Sequence, residues 1–323
     1  MQGMTMLAKA MILQCFQLVH TKRYCGGEVL NGGRIEITQC VGLMLSGNRD
    51  TFRNNDEMAI ALASAIKTNT DLSKIDLSFN HIGPLGMSAI AEAVNLNRGV
   101  KVLNMAGNTI GDKGAIAMAD VLKNNTGLVN LDLDRNGIGE KGASALADAL
   151  KVNVNLTKFG LGGNDITSAG IAKLVEALKV NKGLRQLYLH AAHLDSQDAN
   201  AIADALKVNG VLDYLNIGRN HIGDIGAEAI AQALAVNRVL IKLDMPANKI
   251  GPFGGKALTK AFKESKTLKS LGLRQNKIGR SGMKELADIF KAKRNTSEMF
   301  LAGQINQMWR GQLLSDSGNI MPL

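Results

Sequence analysis

The chain has 323 residues, 46% of them hydrophobic, with 35 glycines, four prolines and few aromatic residues. That composition excludes a loop-rich fold, and three cysteines (Cys15, Cys25 and Cys40) are too few and too oddly numbered for a disulfide framework. The net charge of +10 is uneven: Lys249 to Leu323 hold 14 Lys and Arg against 5 Asp and Glu, whereas the preceding residues hold 24 against 23.

Residues 1–40 are expected to form an N-terminal cap, with a helix through Leu18 and then a strand or turn around Val29–Thr38. The opening stretch MQGMTMLAKAMILQCFQLVH has one lysine, is interrupted by Gln14 and Gln17 and lacks a small-residue cleavage site. It reads as neither a signal peptide nor a membrane span. With the sparse cysteines, this points to a reducing, cytoplasmic setting.

Residues 41–305 are periodic. Asn80, Asn108, Asn136, Asn164, Asn220, Asn248 and Asn276 lie on a 28-residue grid whose one vacant place is Ala192. Asn48 precedes the grid by 32 residues, placing a four-residue insertion near Arg49–Glu57, and a degraded Gln304 follows it. A period this strict means a solenoid, in which each repeat packs on its neighbours.

With the grid Asn at position n, leucine-like residues fall at n−8, n−5 and n−3, as in Leu128, Leu131 and Leu133, and at n+2, as in Ile138. The n−5 and n−3 pair alternates with polar residues, which predicts a short strand; stacked repeats then lay these strands in a parallel sheet. A buried amide at the turn would satisfy backbone groups otherwise left unpaired. Gly139 and Gly142, at n+3 and n+6, are expected to let the chain turn into the helix. Ala143, Leu146, Ala147 and Leu150 follow at helical spacing and predict a helix packed close to the sheet. A second Asn recurs at Asn69, Asn97, Asn125, Asn153, Asn181, Asn209 and Asn237, where a left-handed helix cap is expected.

The pattern dissolves after residue 305. Met299 and Leu301 still occupy strand positions, Trp309 is expected to cover the last coil, and residues 306–323 form a cap and tail.

The sentence LxxLxLxxNxIGxxGAxAxAxAL, repeated over roughly residues 40–305, resembles the ribonuclease-inhibitor type of leucine-rich repeat. The resemblance implies an α/β solenoid shaped as a horseshoe, with parallel strands on the concave face and α-helices on the convex face. Similar repeats occur in NOD-like receptors, Ran GTPase-activating proteins and effectors injected by bacterial pathogens. Delivery into a host cytosol without a cleaved signal is therefore the second expectation for location. Pathogen ubiquitin ligases of this class add a domain with a catalytic cysteine after the repeats, and no cysteine follows Cys40 here.

The variable positions n−6, n−4 and n−2 face inward, with n−1 and n+1 on the rim, so function is expected there. The repeats around Ala192 and Asn220 stand out: two of three tyrosines and three of five histidines lie there, and Asp195 and Asp198 replace both turn glycines. Tyr188, His190, Tyr214 and Arg219 are the expected centre of a protein-binding patch, flanked by His193, Asn216 and His221. Gly160, Gly162 and Gly218 would leave floor space for a bulky element of the partner. Asp132, Asp134 and Arg135 are also expected on the protein-binding surface; the two carboxylates are read as a solvated acidic spot, or as partners of Arg135 and Lys158, rather than as a catalytic or cation-binding pair.

No cofactor and no metal are expected. His190, His193 and His221 lack a fourth ligand, and Cys15, His20, Cys25 and Cys40 are irregularly spaced. The recurring N-x-I-G-x-x-G is structural glycine usage rather than a nucleotide fingerprint. The leading expectation is a non-enzymatic protein-binding module acting as inhibitor, adaptor or secreted effector. A GTPase activator is the second, opposed by the basic tail where Ran activators are acidic. The third is binding of nucleic acid or acidic lipid through lysines of the C-terminal quarter, such as Lys256, Lys260 and Lys263, most of which read as a solvated helix face.

Overall fold

The computed structural model describes residues 26–29, 35–38, 42–47 and 56–294. It divides into two compact units, the first ending at Tyr188 and the second starting at Leu189. The expectations for the helix through Leu18, the three cysteines, Asn48, most of the insertion, Met299, Leu301, Gln304, Trp309 and the tail lie outside the described residues.

The first unit begins with β1 (Gly26–Val29) paired antiparallel with β2 (Ile35–Thr38). The repeats then alternate a three-residue strand with a helix. They run β3 (Gly42–Met44), α1 (Asp56–Thr68), β4 (Lys74–Asp76), α2 (Pro84–Leu96), β5 (Val102–Asn104) and α3 (Gly111–Asn124). They continue through β6 (Asn130–Asp132), α4 (Glu140–Val152), β7 (Lys158–Gly160), α5 (Ser168–Val180) and β8 (Gln186–Tyr188). Strands β3 to β8 pair in parallel in chain order.

The second unit holds α6 (Ser196–Val208), β9 (Tyr214–Asn216), α7 (Gly223–Val236), β10 (Lys242–Asp244), α8 (Pro252–Glu264), β11 (Ser270–Gly272) and α9 (Gly279–Arg294). Strands β9, β10 and β11 are parallel neighbours with a 28-residue register. Both units are therefore stretches of an α/β leucine-rich-repeat solenoid.

The apolar set is buried where the spacing placed it: Leu128, Leu133 and Ile138 are fully enclosed, as are Ala143, Leu146 and Ala147 on the helix face. Strands β5, β6, β8, β9, β10 and β11 put their middle residue inside and leave n−6 and n−4 part-exposed. Alanine at the helix contacts brings helix and sheet close, and burial of several such side chains per coil, at about 1.5–3 kcal/mol for each large one, supplies the main stabilisation.

The Asn ladder is real, and it is not uniform. In every described coil that carries the Asn, its Nδ2 donates to a carbonyl of the preceding coil, as Asn108 to Leu77 and Asn136 to Met105 at 2.9 Å. The Oδ1 of Asn108, Asn164, Asn220 and Asn276 accepts two backbone N–H groups of the preceding coil, at its n and n+2. By contrast the Oδ1 atoms of Asn136 and Asn248 are buried without a hydrogen-bond partner. The backbone follows the same alternation. His81, Gly137, His193 and Lys249, at n+1 of alternate coils, have φ of 54–64°, whereas Gly111, Gly223 and Gly279, at n+3 of three of the others, are left-handed instead, and Thr167 in the fourth is extended. A 28-residue repeat in sequence is thus a 56-residue repeat in conformation, because the left-handed residue at n+1 turns two N–H groups toward the next coil's amide.

Two expectations are corrected. The recurrent Asn after each helix is not left-handed: Asn97, Asn125, Asn153 and Asn181 have φ between −87° and −62°. Its side chain explains it instead. Asn125 Oδ1 accepts from Gly127 and Leu128, while Nδ2 donates to Val94 of the preceding coil. At the end of this second ladder Ser265 stands in for Asn, and Lys293, 28 residues on, sends its Nζ to the Ser265 carbonyl at 2.8 Å.

Nor are the glycines at n+3 and n+6 of the Asn80, Asn136 and Asn248 coils there to turn the chain. Gly83, Gly139 and Gly251 are extended, a conformation open to any residue. They make room for an aspartate of the preceding coil. Asp56 accepts from Gly83 and Gly86, Asp112 from Gly139 and Gly142, and Asp224 from Gly251 and Gly254, all at 2.7–2.9 Å. A carboxylate at a helix N-terminus satisfies unpaired N–H groups and meets the positive end of the helix dipole. In register with these three aspartates stands Ser168, and the next coil is the one with Asp195 and Asp198, which form a capping box of their own.

Candidate functional site

On the strand side of the first unit the polar residues form a row in register, bonded in two groups. Asn104 donates to Asp76 at 3.1 Å, and Asp76 accepts from Ser78. Asp132 accepts from the backbone of Asp134, and Asp134 accepts from Gly162 N–H at 2.6 Å. Gly160 is the floor beneath both carboxylates: a Cβ there would lie 2.8 Å from Asp132 and 2.9 Å from Asp134. Burial, and then the neighbouring Asp132, push the Asp134 carboxyl up to about 7, against the Gly162 N–H and the charges of Arg135 and Lys158. Lys158 Nζ lies 5.0 Å from the Tyr188 ring centre, and Tyr188 Oη donates to Gln186 at 3.3 Å.

The second unit repeats the lysine-on-tyrosine device more tightly. Lys242, directly beside Tyr214 in the strand register, places Nζ 4.4 Å from its ring centre. Tyr214 Oη donates to Asp244 at 2.7 Å and Lys242 reaches the same oxygen at 3.1 Å. Beside this triad is an open hollow of about 160 Å³, lined by Asn216, Lys242, Asp244, Pro246, Gly272 and Arg274.

The sequence-predicted residues therefore fall into two sets. Asp132, Asp134 and Tyr188 share the strand side of the first unit, linked through Lys158, with Arg135 exposed on its rim. Tyr214 and Asn216 share β9 in the second unit, where Asn216 accepts from Gly218 N–H. His190 is half-buried, while His193, Arg219 and His221 are exposed on the rim. Arg135, His193 and Arg219 all have positive φ, which aims them off the ends of the strands. Lys242, Asp244, Pro246, Gly272 and Arg274 fall at inward variable positions in the sequence reading but outside the patch it singles out. Their signal was available: they occupy the same inward positions in the next two coils.

Among the described residues no cluster of three or more His, Cys, Asp or Glu side chains is placed to hold a metal ion, and no helix is long and apolar enough to cross a membrane.

A leucine-rich repeat family matches residues 68–91, 97–119, 124–147, 152–175, 209–231 and 264–287, each match covering one coil of the array just described. This is a leucine-rich repeat protein. The family skips the coil holding Ala192, Asp195 and Asp198, and the one holding Pro246. No curated protein matches the chain. Among solved structures it is similar to the actin-binding site 2 of leiomodin-1, at 24% identity and a TM-score of 0.42, over 53% of this chain and 95% of that one. It is also similar to the tropomodulin C-terminal domain from Caenorhabditis elegans, at 12% identity and a TM-score of 0.42, over 48% and 94%. Arrays of this family are, in general, non-catalytic protein-interaction modules.

Proposed function

We propose that this leucine-rich repeat protein is a non-catalytic binding protein that grips a partner protein on the strand side of its coils, as an inhibitor, adaptor or secreted effector. One observation carries the reading. The buried positions n−8, n−5, n−3 and n+2, and n except at Ala192, keep their residue type from coil to coil, while positions n−6, n−4 and n−2, most of them part-exposed, change freely. A scaffold that fixes its backbone and varies one face separates folding from recognition. Tyr214, held by Lys242 and Asp244, and Tyr188, held by Lys158 and Gln186, are pre-ordered, so a partner would meet them without a large loss of side-chain entropy.

The test is site-specific photo-cross-linking of the full chain in lysate. The cross-linker is placed at Tyr188 or Tyr214 on the strand side, or at Lys141 or Lys260 on the helix side. A protein captured only from strand-side positions supports the reading, and capture only from helix-side positions overturns it.

A further inference from the structure

We propose that the second unit carries a subsite for an acidic peptide segment: the hollow over Gly272 takes a glutamate or aspartate side chain of the partner between Arg274 and Lys242. This rests on the reading that the strand side is the binding side, and it names the chemistry of the partner.

The first observation is charge. Among the described residues at positions n−6, n−4, n−2, n−1 and n+1, the second unit presents Arg219, Lys242, Lys249, Arg274 and Lys277 against one carboxylate, Asp244. The same positions of the four complete coils of the first unit, with Gln186 and Tyr188 of its last strand, present three cations, Lys74, Arg135 and Lys158, against four carboxylates, Asp76, Asp132, Asp134 and Asp165. The scaffold is the same in both, so the basic face is a property of the variable positions and not of the repeat. It also differs from the lysines of the C-terminal helices, which lie on the other side of the coil.

The second observation is shape. Gly272 is the neighbour of Asp244 in the parallel register, and a Cβ on it would fall 2.5 Å from Asp244 Oδ1. The missing side chain leaves the hollow, and Asp244 beside it is engaged through Oδ2 by Tyr214 Oη and Lys242 Nζ. Arg274 stands exposed at its edge and offers the planar fork that matches a carboxylate. The rim residues Arg219, Lys249 and Lys277 are exposed and would draw in the acidic residues that flank the inserted one.

Nucleic acid fits the same place poorly. About 160 Å³ is small beside the roughly 300 Å³ or more of sites that take a ligand the size of a nucleoside. The Tyr214 ring is covered by Lys242 and its hydroxyl is tied to Asp244, so no open aromatic platform remains for a base.

The experiment measures binding of a short fluorescein-labelled Glu-Gly repeat peptide to the full chain by fluorescence anisotropy. Polyuridylate and a Lys-Gly peptide serve as comparison probes. We expect saturable binding of the acidic peptide, weakened about tenfold or more by Arg274→Glu and by Lys249→Glu. Lys260→Glu with Lys263→Glu on α8 should leave it unchanged, and the Lys-Gly peptide should not bind. The proposal is overturned by absence of saturable binding, by loss with the α8 variants instead of Arg274→Glu, or by tighter binding of polyuridylate through the same residues. If strand-side cross-linking captures a partner that the acidic peptide does not displace, this inference fails while the proposed function stands. Capture from helix-side positions alone makes the proposed function fail.

Discussion

Asn164 Oδ1 accepts the backbone N–H of Asn136 at 2.8 Å and that of Ile138 at 3.1 Å, yet the Oδ1 of Asn136 itself is buried with no hydrogen-bond partner. The same residue type at the same repeat position therefore does unequal work in adjacent coils. Replacing Asn164 by Ala leaves two buried N–H groups and two carbonyls without their partner, and we expect a loss of ~3–4 kcal/mol. Asn136→Ala removes only donated bonds and should cost ~1–2 kcal/mol. Urea unfolding of the two variants checks this, and equal losses would contradict the 56-residue alternation.

The aspartate that caps the next coil's helix should be energetically coupled to the glycine that makes room for it. Asp224→Ala removes bonds to the Gly251 and Gly254 N–H groups and should cost ~1–2 kcal/mol. Gly251→Ala places a Cβ 2.8 Å from Asp224 Oδ2 and should destabilise the wild-type background. In the Asp224→Ala background the same change should cost almost nothing further. A double-mutant cycle reads the coupling directly, and additive losses would remove the steric explanation for the glycine.

Position n−1 is left-handed in coil after coil, even where it is not glycine: Ala191 has φ of 51° and Ala247 of 54°. A Cβ in that conformation carries a penalty of about 1–2 kcal/mol, partly offset by the greater unfolded-state freedom of glycine. Ala247→Gly should therefore raise stability by ~0.5–1 kcal/mol, seen as a higher unfolding midpoint. A fall in the midpoint would be the contrary result.

Asp134 gives the first unit a specific pH dependence. With its carboxyl pushed up to about 7, the folded chain keeps a proton that the unfolded chain releases near 4. The folded state binds more protons across that window, so this group's contribution to stability is greatest below about pH 4. It falls as pH rises to about 7 and levels off above. Asp134→Asn keeps an acceptor for Gly162 N–H and should flatten the slope, stabilising the protein at pH 8 relative to pH 4 by ~1–3 kcal/mol more than wild type. Unfolding midpoints at the two pH values test it, and an unchanged slope would assign the pH dependence elsewhere.

The sequence by itself determined the repeat, its register, the strand and helix of each coil and which residues are buried. Each of these follows from local periodicity: two-residue alternation around Leu131 and Leu133, helical spacing through Ala143 and Leu150, and an Asn at a fixed interval. What only the tertiary structure decided involves a partner one coil away. The rationale for Gly142 lies in Asp112, thirty residues earlier, and that of Asn125 in the Val94 carbonyl. The two conformations of the grid Asn are invisible to a 28-residue reading, because identical letters take different backbone torsions on alternate coils. The hollow over Gly272 became visible only when parallel pairing set Asp244 beside it, since a site made by side chains from separate coils has no spacing of its own in the chain.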